Sequence, residues 1–182
     1  GLKVVLPSSP ADAKGLLLAA LDDPNPVIVL EHKLLYKTSG HVPQEMYRTP
    51  IGVSNTVREG SDLTIVATGV MVSRSLEAAA QLASQGVEAA VIDVRTLSPL
   101  DMDPINASVA NTGRLMLVQE APKHVGFMAE VAARVAEGPA IYSLTEPVAR
   151  LCGLDVPIPY APQLEKAVVP QLDDIVEGAK NL

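Results

Sequence analysis

Short runs of aliphatic and β-branched residues alternate along the chain with longer Ala- and Leu-rich stretches, the pattern of parallel α/β layers. Leu2 to Leu6 predicts a strand. Pro7-Ser8-Ser9-Pro10 then offers an N-cap serine and a proline for the first helical position. Ala11 to Leu21 is predicted helical, with Leu16, Leu17, Ala20 and Leu21 on one side. Asp22-Asp23-Pro24-Asn25-Pro26 breaks that helix, and Val27 to Leu30 predicts a second strand. Together these form a βαβ crossover. Lys37 to Thr56 keeps no period and carries Gly40, Pro43, Pro50 and Gly52, so it reads as a connecting arm crossing a surface.

A second series follows. Strands are predicted at Leu63–Thr68, Ala89–Val94, Leu115–Val118 and Val148–Leu151. Helices are predicted at Ser73–Gln85 (stopped by Gly86), Pro104–Ala110, Phe127–Glu137 and Leu172–Lys180. The proline-rich stretch Asp155 to Pro170 is expected to be a surface loop. The predicted fold is a three-layer, doubly wound α/β domain with a mostly parallel sheet over residues 57–182. A linker at 37–56 and a truncated βαβ at 1–36 precede it.

That opening unit raises a physical difficulty. Parallel strands are buried on both faces, and Val27-Ile28-Val29-Leu30 is apolar at every position. Two strands and one helix cannot cover two faces. Residues 1–36 are therefore expected to be the end of a domain whose other strands lie elsewhere, and Gly1, not an initiator Met, fits a piece of a longer polypeptide.

Composition narrows the function classes. Of 182 residues 48% are hydrophobic and mean hydropathy is +0.24, which favours a packed core over disorder. No apolar run reaches the roughly 18 residues of a membrane span. Fourteen basic against 21 acidic residues give a charge of −7, which repels nucleic-acid phosphates. A single cysteine, Cys152, excludes an internal disulfide and suits a reducing, cytoplasmic-type compartment.

No catalytic constellation is complete. Thr68-Gly69 joins a strand to a helix but lacks the G-x-G-x-x-G spacing of a dinucleotide cradle. His32, His41 and His124 never stand at i, i+4, so no zinc pair is visible; His124 lies in a loop just after a strand, where open α/β sheets present ligands. Asp22, Asp23 and Asn25 could bind a hard cation, or could simply cap their own turn. Asp93 and Arg95 are expected to form a structural ion pair. Cys152 has no histidine nearby in sequence, and Ser98 lacks the G-x-S-x-G elbow.

Several phrases in order carry a resemblance. They are Gly1-Leu2-Lys3-Val4-Val5-x-Pro7-Ser8, Asp12 to Leu17, Leu30-Glu31-His32-Lys33-x-Leu35-Tyr36, Val91 to Asp101, Glu120-Ala121-Pro122 and Asp155-Val156-Pro157-x-Pro159-Tyr160. Over essentially its whole length the chain resembles the C-terminal half of the β subunit of the thiamine-diphosphate-dependent E1 component of 2-oxo acid dehydrogenase complexes, in the transketolase superfamily. The resemblance implies that residues 1–36 end a pyrimidine-binding domain whose activating glutamate lies upstream. It implies a diphosphate and Mg²⁺ held by the α subunit, and hence a chain that is inactive alone. It also implies a potassium site using the Ala20 carbonyl, Asp23 and Asn25, completed by an upstream loop.

The partners it implies are an E1 α subunit, a second β subunit in an α2β2 assembly, and the subunit-binding domain of E2. That last contact falls on Glu146, one place beyond the expected Thr145, and on Leu182. Lys37 to Pro43 is more similar to pyruvate or acetoin enzymes than to branched-chain ones. The compartment implied is the cytoplasm, or the mitochondrial matrix or plastid in a eukaryote. Two other readings stay open on the residues: a standalone acidic α/β binding domain, and the C-terminal domain of a transketolase or deoxyxylulose-phosphate synthase.

Overall fold

The opening crossover forms as its pattern requires. In a computed structural model describing residues 1–182, strand β1 (Lys3–Val5) leads into helix α1 (Pro10–Asp22) and then strand β2 (Val27–Val29). β1 and β2 pair in parallel, with Val4 opposite Ile28. Ser9 caps α1 by accepting the Asp12 N–H at 3.1 Å, and Pro10 takes the first helical position, where its missing donor costs nothing. Leu16 of α1 and Val5 of β1 are both fully buried.

The second series builds a five-stranded sheet in the order β3-β5-β4-β7-β8. Its members are β3 (Asn55–Arg58), β4 (Leu63–Ala67), β5 (Ala89–Asp93), β7 (Leu115–Pro122) and β8 (Ala149–Gly153). All pair in parallel except β3, an antiparallel edge on β5. Helices α2 (Val70–Ala83) and α6 (Leu172–Lys180) cover one face around Leu63, Ile65 and Met116. Helices α3 (Asp103–Thr112) and α4 (Phe127–Glu137) cover the other around Val66, Ile92 and Leu117. Every residue of β4 and β5 is buried, which is why both read as mostly apolar runs, broken only by Thr64 and the terminal Asp93.

Several features depart from the sequence pattern, among them the end of β7, which runs to Pro122 rather than Val118. β3 is a fifth strand, concealed by its polar sequence because an edge strand has one ladder and a wet side. β6 (Thr96–Ser98) leaves the second series and pairs antiparallel with β1, so the opening unit is a three-stranded sheet in the order β2-β1-β6. α2 begins at Val70 rather than Ser73, and α3 runs to Thr112 rather than Ala110. The predicted loop Asp155–Pro170 contains helix α5 (Pro162–Val168), nucleated by a proline at its first position.

The arm between the two sheets lies along α1. Tyr47 donates its hydroxyl to the Ala11 carbonyl at 2.6 Å, and Lys14 Nζ reaches the Glu45 carbonyl at 2.8 Å. Gly15 makes room for this crossing: a Cβ there would run into Thr49 and Tyr47.

Candidate functional site

Open α/β sheets bind ligands outside the carboxyl ends of their strands, where the winding reverses. Here β5 lies on one side of β4 and β7 on the other, so the reversal falls between β4 and β7. A cleft of about 170 Å³ opens there, lined by Thr68, Gly69, Gln119, Glu120, Phe127 and Leu6 among others. A second cleft, of about 290 Å³, opens at the ends of β1 and β2 between Ser8, Pro10, Glu31, Leu35 and Tyr36. His32 lines both.

His32 joins the two sheets. Its Nδ1 accepts the Leu34 N–H at 3.2 Å, which leaves the ring hydrogen on Nε2 to be donated to Glu120 Oε2 at 2.8 Å. Glu120 owes its place to Gln119, which is 3% exposed. The Gln119 amide donates to the Pro122 carbonyl at 2.9 Å and accepts the Met128 N–H at 2.8 Å, bridging the end of β7 to the start of α4. Gly126 has no side chain to obstruct that amide; a Cβ there would collide with it.

A second junction is buried. Asp93, at the end of β5, is fully inaccessible and accepts the Ser8 hydroxyl and the Arg95 N–H, the latter at 3.1 Å. Loss of water pushes its carboxyl up to about 7, against the opposing effect of those two hydrogen bonds. Arg95, in the left-handed region at φ 53°, turns its guanidinium to Asp12 of α1 at 3.0 Å. The expected Asp93–Arg95 side-chain pair is thus replaced: Asp93 takes the backbone of Arg95, and Asp12 takes its charge.

Chemically, the clefts offer oxygen acceptors, one imidazole and no assembled nucleophile. Ser8 donates to a carboxylate rather than to an imidazole. Burial pushes the Cys152 thiol up, opposite to the activation a nucleophile needs. His124 stands exposed, 3.9 Å from Asp155, and no group of three His, Cys, Asp or Glu side chains converges as metal ligands.

Comparison with known proteins places this architecture. The family model described as "Transketolase, C-terminal domain" matches residues 52–175. The chain belongs to that family. The β subunit of acetoin:2,6-dichlorophenolindophenol oxidoreductase from Cupriavidus necator is 47% identical over 99% of this chain and 53% of its own length. The pyruvate dehydrogenase E1 component subunit beta of Staphylococcus epidermidis is 46% identical over 99% of this chain and 55% of its own. A solved structure titled "Split gene transketolase, inactive beta4 tetramer" superposes with TM-score 0.81 at 26% identity, covering 99% of this chain and 56% of that one. The chain thus spans about half the length of the curated relatives it matches.

In this transketolase C-terminal-type chain the residues singled out from sequence scatter. Asp23 closes α1, accepting the Lys3 ammonium and, at 3.0 Å, the Asn25 N–H; those two contacts hold its carboxyl below the usual range. Pro24 has no N–H for the Ala20 carbonyl four residues back, so that oxygen lacks its regular helical donor. The turn therefore has a carbonyl and a carboxylate suited to a cation, with the Lys3 ammonium already on the carboxylate. Glu146 is exposed, and Leu182 packs its side chain against the α2–α6 core. The two clefts carry Glu31 and Glu120 and no Lys or Arg, a lining that does not fit a diphosphate with its Mg²⁺. The His32–Glu120 bridge and the Ser8–Asp93 junction have no sequence signature, because their partners stand far apart in the chain, whereas the Gln119 brace is local and bonds backbone groups that any sequence supplies.

Proposed function

We propose that this chain is the C-terminal portion of the β subunit of an E1 component of the acetoin or pyruvate type, supplying architecture and interfaces rather than first-contact chemistry. In the intact enzyme the reaction is thiamine-diphosphate-dependent decarboxylation of a 2-oxo acid, or cleavage of acetoin, followed by transfer to an E2 lipoyl group. The observation that carries this reading is 46–47% identity over 99% of the chain to two such β subunits. The acidic lining of both clefts supports placing thiamine diphosphate and Mg²⁺ on the α subunit. Residues 1–36 are read as the end of a pyrimidine-binding domain, 37–56 as the linker and 57–182 as the C-terminal domain. The setting is cytoplasmic, or the matrix or plastid of a eukaryote.

The partners in this reading are the E1 α subunit, a second β subunit and the E2 subunit-binding domain, the last touching Glu146 and Leu182. Potassium is assigned to Ala20, Asp23 and Asn25, with Lys3 giving way to it. Calorimetry and turnover assays test the whole. The pure chain is expected to show neither saturable thiamine diphosphate binding nor decarboxylation, and turnover by the pure chain would overturn the reading. In the intact subunit, whose upstream loop completes the site, the Lys3→Ala variant is expected to melt higher in potassium than in sodium chloride; equal melting removes the potassium assignment. Glu146→Ala is expected to weaken capture of the E2 domain, and unchanged capture removes that contact.

A further inference from the structure

The two clefts share a thin wall. Leu6 lines the smaller one and Pro7, Ser8 and Ser9 line the larger, so the chain leaving β1 passes between them, with His32 beside it. Leu6 to Ser9 lies past the end of β1 and ahead of α1, outside both the strand ladder and the helix. Pro7 and Pro10 fix φ on either side of the serine pair, so the segment moves as a unit rather than by bending within itself.

Two hydrogen bonds tie this segment to the second sheet, and both meet the end of β5. The Leu6 N–H donates to the Arg95 carbonyl at 2.8 Å, and the Ser8 hydroxyl donates to Asp93. Arg95 keeps its left-handed backbone while its own N–H goes to Asp93 at 3.1 Å. Such a conformation is costly for a residue other than glycine and persists where its surroundings over-determine it, often at functional sites. Asp93 is sealed from water, whereas Ser8 is half-buried and faces the larger cleft, so Ser8 stands between a closed-off carboxyl and an open space. The charged groups that bear on Asp93 are Asp12 of α1 and Arg95 of the turn after β5. Its register partners on the flanking strands, Asn55 of β3 and Ala67 of β4, carry no charge. Glu31 and His32, which also line the larger cleft, are engaged by Tyr36 and Glu120.

We propose that Leu6–Ser9 is a proton-controlled partition between the two clefts, shut while Asp93 is protonated and released when Asp93 ionises. In the released form Ser8 moves aside, water reaches the carboxylate, and the wall between the clefts opens. The direction follows from the cost of a sealed charge. Burial raises the Asp93 pKa to about 7, above the ordinary 3.8 that the carboxyl regains once water reaches it. The shut form therefore holds a proton that the open form gives up. Opening is least favoured below pH 4 and grows as pH rises to 7. The inference needs no subunit assignment, because both tied parts belong to this chain.

Amide hydrogen exchange on the 182-residue chain, followed by NMR and corrected for the intrinsic pH dependence of exchange, tests the partition at the Leu6 N–H. The Ile65 N–H, in the middle of the fully buried β4, reports unfolding of the whole domain. Leu6 is expected to open more often than Ile65 and with no dependence on low urea, as local opening does. Its opening is expected to grow by up to roughly fiftyfold between pH 5 and pH 7. Asp93→Asn, nearly isosteric, is expected to flatten that growth. Ser8→Ala is expected to raise Leu6 opening severalfold at pH 5, and an unchanged rate would remove Ser8 as the catch. If Leu6 and Ile65 share one rate and one urea dependence, the segment moves only with the domain and there is no partition. Opening that stays flat from pH 5 to pH 7 in the wild-type chain, or a growth that survives Asp93→Asn, would overturn the control by Asp93.

Discussion

Asp93 shows how one residue can record the meeting of two parts of a chain. It sits at the end of β5, 85 positions from Ser8, and is sealed from water where the three-stranded sheet meets the five-stranded one. Of the charged groups around it, Asp12 raises its affinity for a proton and Arg95 lowers it, while burial outweighs both. The folded-state value, about 7, lies above the ordinary 3.8, so between those limits the folded chain holds a proton that the unfolded chain releases. The stabilisation is complete below pH 4 and is lost as pH rises to 7. At roughly 1.36 kcal/mol per unit the loss is on the order of 4 kcal/mol at most. Asp93→Asn imitates the protonated acid, its amide able to donate to Ser8 while its carbonyl accepts from Arg95. Its melting temperature is therefore expected to exceed wild type at pH 8 and to match it near pH 4.5. Melting curves that stay parallel across that range would remove Asp93 as the titrating group.

Among the elements, the arm over α1 carries the next consequence. Gly15 is a helix-interior glycine, normally a loss of 0.5–1 kcal/mol against alanine. Here the exchange should reverse sign, because a Cβ would press on the Thr49 hydroxyl and the Tyr47 ring, 2.8 Å away. Gly15→Ala is expected to destabilise the chain by about 1–3 kcal/mol, as overpacking does. Chemical denaturation would show it, and Tyr47→Ala in the same background should recover part of the loss. The elements also show what sequence carries and what it cannot. β4, β5 and the start of β7 were legible because strands buried on both faces are predominantly apolar. β3 and β6 were not: one is a polar edge, and the other is a three-residue piece paired to a strand more than 90 positions away. α5 hid behind the prolines that start it. The site suffered most, since the Asp22–Asn25 turn is local and readable, whereas His32–Glu120 and Ser8–Asp93 exist only once the sheets have met.

At the scale of the whole molecule, the three-stranded sheet is covered on one side only. α1 packs over the face that holds Val5. On the opposite face Ile28 and Leu30 of the β2 run are each 41% exposed, and Leu2, two residues before Val4, is 50% exposed. β6 extends the sheet at its other edge but adds no layer over that face. The five-stranded sheet, by contrast, is covered on both faces by α2 and α6, and by α3 and α4. This asymmetry is the structural counterpart of reading residues 1–36 as the end of a larger domain, and it makes a stability argument that needs no partner. A residue that packs into a core loses about 2–5 kcal/mol on truncation, whereas one facing water loses little. Ile28→Thr with Leu30→Thr is therefore expected to leave the midpoint of urea unfolding within about 1 kcal/mol of wild type. The same pair should reduce the binding of a fluorescent apolar dye and raise the solubility limit, since both changes act on exposed apolar surface. A loss of 3 kcal/mol or more would mean the face is packed in solution, and the argument for an uncovered layer would fail.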